Sequence, residues 1–140
     1  MSEARDAKIR AAIYVTFGAL WIALCGACAW NIADTAGPYR GFWPFGLWFT
    51  SLGVPLLAIG LRSFMPRRVL GWGLCAIGAA WLGLGLKFLA DFVLDAAKNG
   101  VYGAGVAIFL VLWLIFQVPG AAMLWGGVAI LKAKPEGGAG

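Results

Sequence analysis

Charged residues divide this chain into four long neutral stretches, and that division constrains the fold more than any other feature. No charge occurs from Ala11 to Ala33, from Gly41 to Leu61, from Val69 to Leu86, or from Asn99 to Leu131. A helix rises about 1.5 Å per residue, so roughly 18 to 20 apolar residues are needed to cross a hydrocarbon layer ~30 Å thick. Each stretch meets that length. With 62% hydrophobic residues, only 12% charged and a mean hydropathy of +0.86, the chain falls far from the roughly 25% charge of soluble domains. The expected fold class is all-α: a polytopic membrane protein with four transmembrane helices, at about 11–33, 41–61, 69–90 and 103–131, forming two hairpins. Residues 1–10 make a cytoplasmic N-terminus, 11–131 the transmembrane domain, and 132-KAKPEGGAG-140 a disordered cytoplasmic tail by its Pro and Gly content.

The net charge of +5 does not point to nucleic acid, because the basic residues alternate by loop instead of forming a patch with interleaved aromatics. Arg5, Lys8, Arg10, Arg62, Arg67, Arg68, Lys132 and Lys134 fall on one side, and Arg40, Lys87 and Lys98 on the other. The positive-inside rule then puts both termini in the cytoplasm of a cell (inner) membrane. The opening stretch 17-FGALWIALCGACAW-30 also has the basic start, apolar run and small-x-small site of a signal peptide. Its apolar run is longer than such peptides use, however, and the start carries Glu3 and Asp6, so a retained first span is the expectation.

Cys25 and Cys28 form a Cys-x-x-C pair that a membrane thiol redox protein could use. The only other cysteine, Cys75, is expected near the opposite face, and apolar surroundings disfavour a thiolate. Inert packing is the better reading. Haem attachment would need His where Ala29 stands.

In lipid, small residues let helices approach closely. Ala19, Ala23 and Ala27 recur every fourth residue in span 1, and Gly71, Cys75, Ala79 and Gly83 do so in span 3. These small-xxx-small stripes are expected to meet other helices, with Trp21 and Trp81 falling elsewhere. The segment 18-GALWIAL-24 matches 78-GAAWLGL-84, and Leu47-Trp48 with Val54-Pro55 resembles Leu112-Trp113 with Val118-Pro119. Two tandem hairpins related by a pseudo-twofold axis along the membrane normal would produce such a weak repeat.

Pro55 and Pro119 are expected to bend spans 2 and 4, with Thr50, Ser51 and Gln117 helping to satisfy the freed backbone groups. Gln117 is the most distinctive polar residue at membrane depth. Lys87 and Asp91 are spaced to pair, and 88-FLADFVLDAAKNG-100 reads as an amphipathic extension of span 3 against the outer leaflet, stopping near Asn99-Gly100. Trp30, Tyr39, Trp43 and Tyr102 would form an outer aromatic belt, and Trp72 would sit near the inner surface.

The chain has no histidine, which removes the usual haem ligand and the commonest general base. No Asp or Glu falls inside a span, so the carboxylate of a proton-coupled pump is missing. Small multidrug exporters are similar in architecture, but their first-span glutamate has no counterpart here. No catalytic, cofactor or metal site is expected. The predicted role is a non-catalytic accessory or assembly component whose partners are the lipid bilayer and other membrane subunits, including further copies of itself. An oligomeric small-solute channel or transporter, with Gln117 and the kinked spans lining its path, is the alternative.

Overall fold

A computed structural model describes residues 2–34, 43–100 and 103–134, and among them every regular element is a helix. The elements are α1 (Ser2–Asp34), α2 (Trp43–Ser51), α3 (Gly53–Leu61), α4 (Arg67–Asn99) and α5 (Ala104–Lys132). Four segments are long and apolar enough to cross a membrane: α1, α2 with α3 as one span, α4, and α5. The protein is a multi-pass membrane protein. Helix α1 begins well before the neutral stretch, so the charged residues 3–10 continue the first span as a helical projection. Most of the predicted tail, residues 135–140, lies outside the described residues, as do Tyr39 and Tyr102.

Local chemistry sets the ends of these helices. Gly100 caps α4 in the left-handed conformation (φ 70°, ψ 39°) and donates its N–H to Ala96 O, a conformation glycine adopts without penalty. Pro66, with φ −57° and ψ 135°, opens α4, since a proline ring disfavours continuation of the helix before it. Within span 2 the hydrogen-bond ladder lapses at Leu52, although its φ −65° and ψ −22° remain helical. Pro55 has no N–H for the carbonyl four residues back, and Leu52 N bonds instead to Phe49 O, three residues away. The span is interrupted in its bonding at this turn.

Helix α1 packs against α2 and α3, and α4 packs against α5. Both pairs are antiparallel hairpins, and glycines recurring every seventh residue line their seams: Gly46, Gly53 and Gly60 on α2 and α3, Gly71, Gly78 and Gly85 on α4, Gly120 and Gly127 on α5. A seven-residue period keeps one face of two helices in register as they wind around each other with a left-handed twist. The seams are backbone against backbone. A Cβ added at Gly78 would lie 2.7 Å from Leu124 N and 2.8 Å from Gly120 O, and one added at Gly18 would lie 2.7 Å from Leu57 N and 3.0 Å from Gly53 O.

Those two sets of contacts are the same set seen twice. Gly18, Gly53 and Leu57 in the first hairpin correspond to Gly78, Gly120 and Leu124 in the second. A Cβ at Gly60 would meet Ala11 O and Val15 N, and one at Gly127 would meet Gly71 O and Cys75 N. Hence α1 superposes on α4 at an offset of 60, and α3 on α5 at an offset of 67. The GALW and GAAW match survives, placing Trp21 on Trp81. The match of Leu47-Trp48 and Val54-Pro55 to Leu112-Trp113 and Val118-Pro119 is two to three residues out of register. Pro55 and Pro119 are therefore not equivalent.

The hairpins join where Val54, Ala58 and Leu61 of α3 pack on buried Leu70 and Leu74 of α4 and Met123 of α5. A pseudo-twofold axis would bring the α5 equivalents of that α3 face, Ala121, Trp125 and Val128, into the same junction. All three are exposed. At the level of Val54, Ala58 and Leu61 the hairpins therefore meet head to tail, through different faces.

Candidate functional site

Four tryptophans tie helices together through their indole N–H groups. Trp21 donates to Phe49 O at 2.7 Å and Trp81 to Phe116 O at 2.7 Å, an equivalent pair one in each hairpin. Trp113 donates to Gly85 O at 2.7 Å. Trp48 crosses between hairpins to Ile115 O at 3.1 Å, the very carbonyl that Pro119 leaves without its usual helical partner. An apolar ring with one donor suits this task, because in lipid a freed carbonyl has no water to turn to. Trp21 and Trp81 lie off the every-fourth-residue stripes and nonetheless take part in the packing. Each stands three residues after a seam glycine and reaches over the seam to the facing backbone.

The intramembrane polar residues behave differently from one another. Thr50 Oγ1 donates to Gly46 O at 2.8 Å, and Ser51 Oγ donates to Trp48 O. Both bond one turn back along their own helix, so neither reaches the Ser51 carbonyl that Pro55 frees. Gln117 does not bond to the carbonyl that Pro119 frees either. Its Oε1 and Nε2 are both buried with no hydrogen-bond partner. The amide fills the notch left by the missing side chain of Gly85, where a Cβ would collide with it. A buried amide without partners costs about 1–3 kcal/mol.

Of the seven residues expected to pack helices, Gly71 and Cys75 do so within the chain, facing Gly127 and Leu131. Ala19, Ala23, Ala27, Ala79 and Gly83 are exposed, and a Cβ at Gly83 would meet nothing within 4 Å. The intrachain face of α1 runs instead through Ala11, Val15, Gly18, Ile22 and Ala29. Every-fourth-residue stripes drift across a helix in the opposite sense to the seven-residue seam, so the two share Gly71 and Cys75 and then part.

Lys87 Nζ and Asp91 pair at 2.7 Å on the exposed surface of α4, and Asn99 Nδ2 donates to Asp95 at 2.7 Å one turn on. This extension of span 3 is part of one continuous α4. Phe92 stacks on Phe109 of α5 with ring centroids 3.6 Å apart, which holds it upright beside its hairpin partner. Trp30 and Trp72 are exposed near opposite ends of their helices, as belt residues would be.

Cys25, Cys28 and Cys75 are free thiols. By the repeat, Cys25 lies level with Gly85, ten residues along the helix from Cys75, an axial separation of ~15 Å. No second thiol is within reach of the Cys25 and Cys28 pair from α4. No group of three His, Cys, Asp or Glu residues suited to a metal occurs among the described residues. A cavity of about 520 Å³ lies between α2, α4 and α5, and Phe45, Trp48, Phe49, Phe88, Trp113 and Phe116 dominate its lining. It has no charged group, so it suits hydrocarbon.

No family model matches the sequence, and no curated protein or solved structure matches it either. The seams and the tryptophan bridges therefore stand on their own geometry. Sequence reading missed the bridges, although the signal was in view: Gly-x-x-Trp occurs at the same place in both halves of the repeat.

Proposed function

We propose that this chain is a non-catalytic accessory or assembly component of a larger complex in the cell (inner) membrane, with both termini in the cytoplasm. The observation that carries this reading is the uncovered half of α1. One face of that helix meets α2 and α3 through Ala11, Gly18 and Ala29, while Ala19, Ala23 and Ala27 form a second small-residue face that nothing among the described residues covers. Small side chains add little against fluid lipid and much against another helix. Orientation follows from the eight Lys and Arg at the end of the bundle that carries both termini. Extraction of the intact protein from its native membrane in mild detergent, with mass measurement of the particle, tests the proposal. A particle heavier than one chain with its detergent and lipid supports it, and a lone monomer overturns it.

Gln117 supports a second reading, an oligomeric small-solute channel or transporter, since a buried amide without partners can bond to a passing solute or water. Thiol labelling of cysteines placed one at a time along α5 separates the two. A water-accessible stripe through Gln117 favours transport, and uniform protection favours assembly.

A further inference from the structure

The head-to-tail joint between hairpins implies a specific use for the exposed face of α5. The first hairpin docks on the second through one stripe: Trp48 reaches Ile115 O, and Val54, Ala58 and Leu61 lie on Leu70, Leu74 and Met123. At the offset of 67 that relates these helices, Trp48 matches Ile115, its own acceptor, while Val54, Ala58 and Leu61 match Ala121, Trp125 and Val128. Those three are apolar and exposed, Trp125 at 81% and Val128 at 37%. The receiving face has its counterpart as well. Leu70 and Leu74 match Arg10 and Tyr14 on α1, both exposed, and Met123 matches half-buried Leu56 on α3.

A joint made between two different faces leaves one of each unused at the two ends of the chain. We propose that a second copy of this chain occupies them, with the α5 stripe of one molecule docking on the Arg10, Tyr14 and Leu56 face of the next, head to tail. This rests on the assembly reading above and names its partner. Continuity with the existing joint is the argument: the same backbone surface is presented again, at the same height, by a homologous helix of the same direction. The side chains differ, so the contact is not a copy. Trp125 stands where Ala58 does, and Arg10 where Leu70 of the receiving cluster does, so an indole and a guanidinium, an attractive pair, face the joint in place of aliphatic side chains. Contacts of this heterologous kind close into rings or run on as rows, and do not give twofold dimers.

The test uses full-length chains in which Cys25, Cys28 and Cys75 are each replaced by Ala. One variant carries Trp125→Cys and another Tyr14→Cys. Co-expressed in one membrane and oxidised, the two are expected to form a mixed disulfide dimer, while either alone forms at least tenfold less. A single chain carrying both cysteines should give a ladder of higher oligomers. Equal or stronger linking of Trp125→Cys to itself overturns the head-to-tail arrangement. Absence of any link, with the cysteine-containing wild type monomeric by mass in mild detergent, overturns both this inference and the assembly reading. Absence of a link with a different protein co-purifying overturns this inference alone.

Discussion

Replacing Gly78 by Ala should drive α4 and α5 apart, and the size of the effect follows from the seam. The new Cβ would lie 2.7 Å from Leu124 N and 2.8 Å from Gly120 O, both backbone atoms that cannot rotate away. Ordinary contact needs about 3.5 Å, so the helices must separate by ~0.8 Å, a gap that forfeits a quarter to a half of each nearby dispersion contact. Overpacking of this kind costs about 1–3 kcal/mol. Against it stands the gain from replacing a helical glycine, roughly 1 kcal/mol. A net loss of up to about 2 kcal/mol is expected, measured by unfolding in mixed micelles of mild detergent and dodecyl sulfate. Gly83→Ala is the internal control, because a Cβ there meets nothing within 4 Å; it should leave stability unchanged or raise it. Gly18→Ala, the equivalent position in the first hairpin, should behave like Gly78→Ala. If Gly83→Ala proved as harmful as Gly78→Ala, the seam would have been placed on the wrong face.

Trp81→Phe keeps the ring and removes the N–H that reaches Phe116 O, so it should cost about 0.5–1.5 kcal/mol in the same assay, and Trp21→Phe should cost a similar amount. Gln117→Met removes two buried polar atoms that have no partner and should stabilise the protein by about 1 kcal/mol; destabilisation would mean that the amide has a partner after all. Lys87→Met breaks an exposed pair one turn apart and should change stability by no more than about 0.5 kcal/mol, which a melting curve at two salt concentrations will show.

Much of the fold was legible because the bilayer imposes length. Four neutral stretches bounded by charge became four spans, and Asn99-Gly100 stopped α4 with the backbone conformation its residues favour. The Lys87 and Asp91 pair was legible for a similarly local reason: spacing alone brings them together. Which face of each helix packs was not legible. Stripes at every fourth and every seventh residue both run through Gly71, and only the partner helix, with Gly120 and Gly127 seven apart, selects between Gly78 and Ala79. The repeat was visible in its first half, where GALW and GAAW align without a gap. It blurred in the second half because the second hairpin has seven more residues between its seam glycines, taken up by longer helices, which moved the offset from 60 to 67 and let a chance Val-Pro match stand in for the true one. The symmetry relating the halves could not be read at all, since sequence equivalence does not say which faces two equivalent units use to meet.

The seams and bridges require a chain threaded four times through a bilayer, with three of its polar segments at one surface and two at the other. Single cysteines at Ala4, Ser63, Ala133, Gly37 and Lys98, in a chain whose native cysteines are replaced by Ala, test it in sealed vesicles with a membrane-impermeant thiol reagent. Positions 4, 63 and 133 should label from the same side, and positions 37 and 98 only from the other. Labelling of positions 4 and 133 from opposite sides would contradict the threading, and the seams and the joint between hairpins would fall with it.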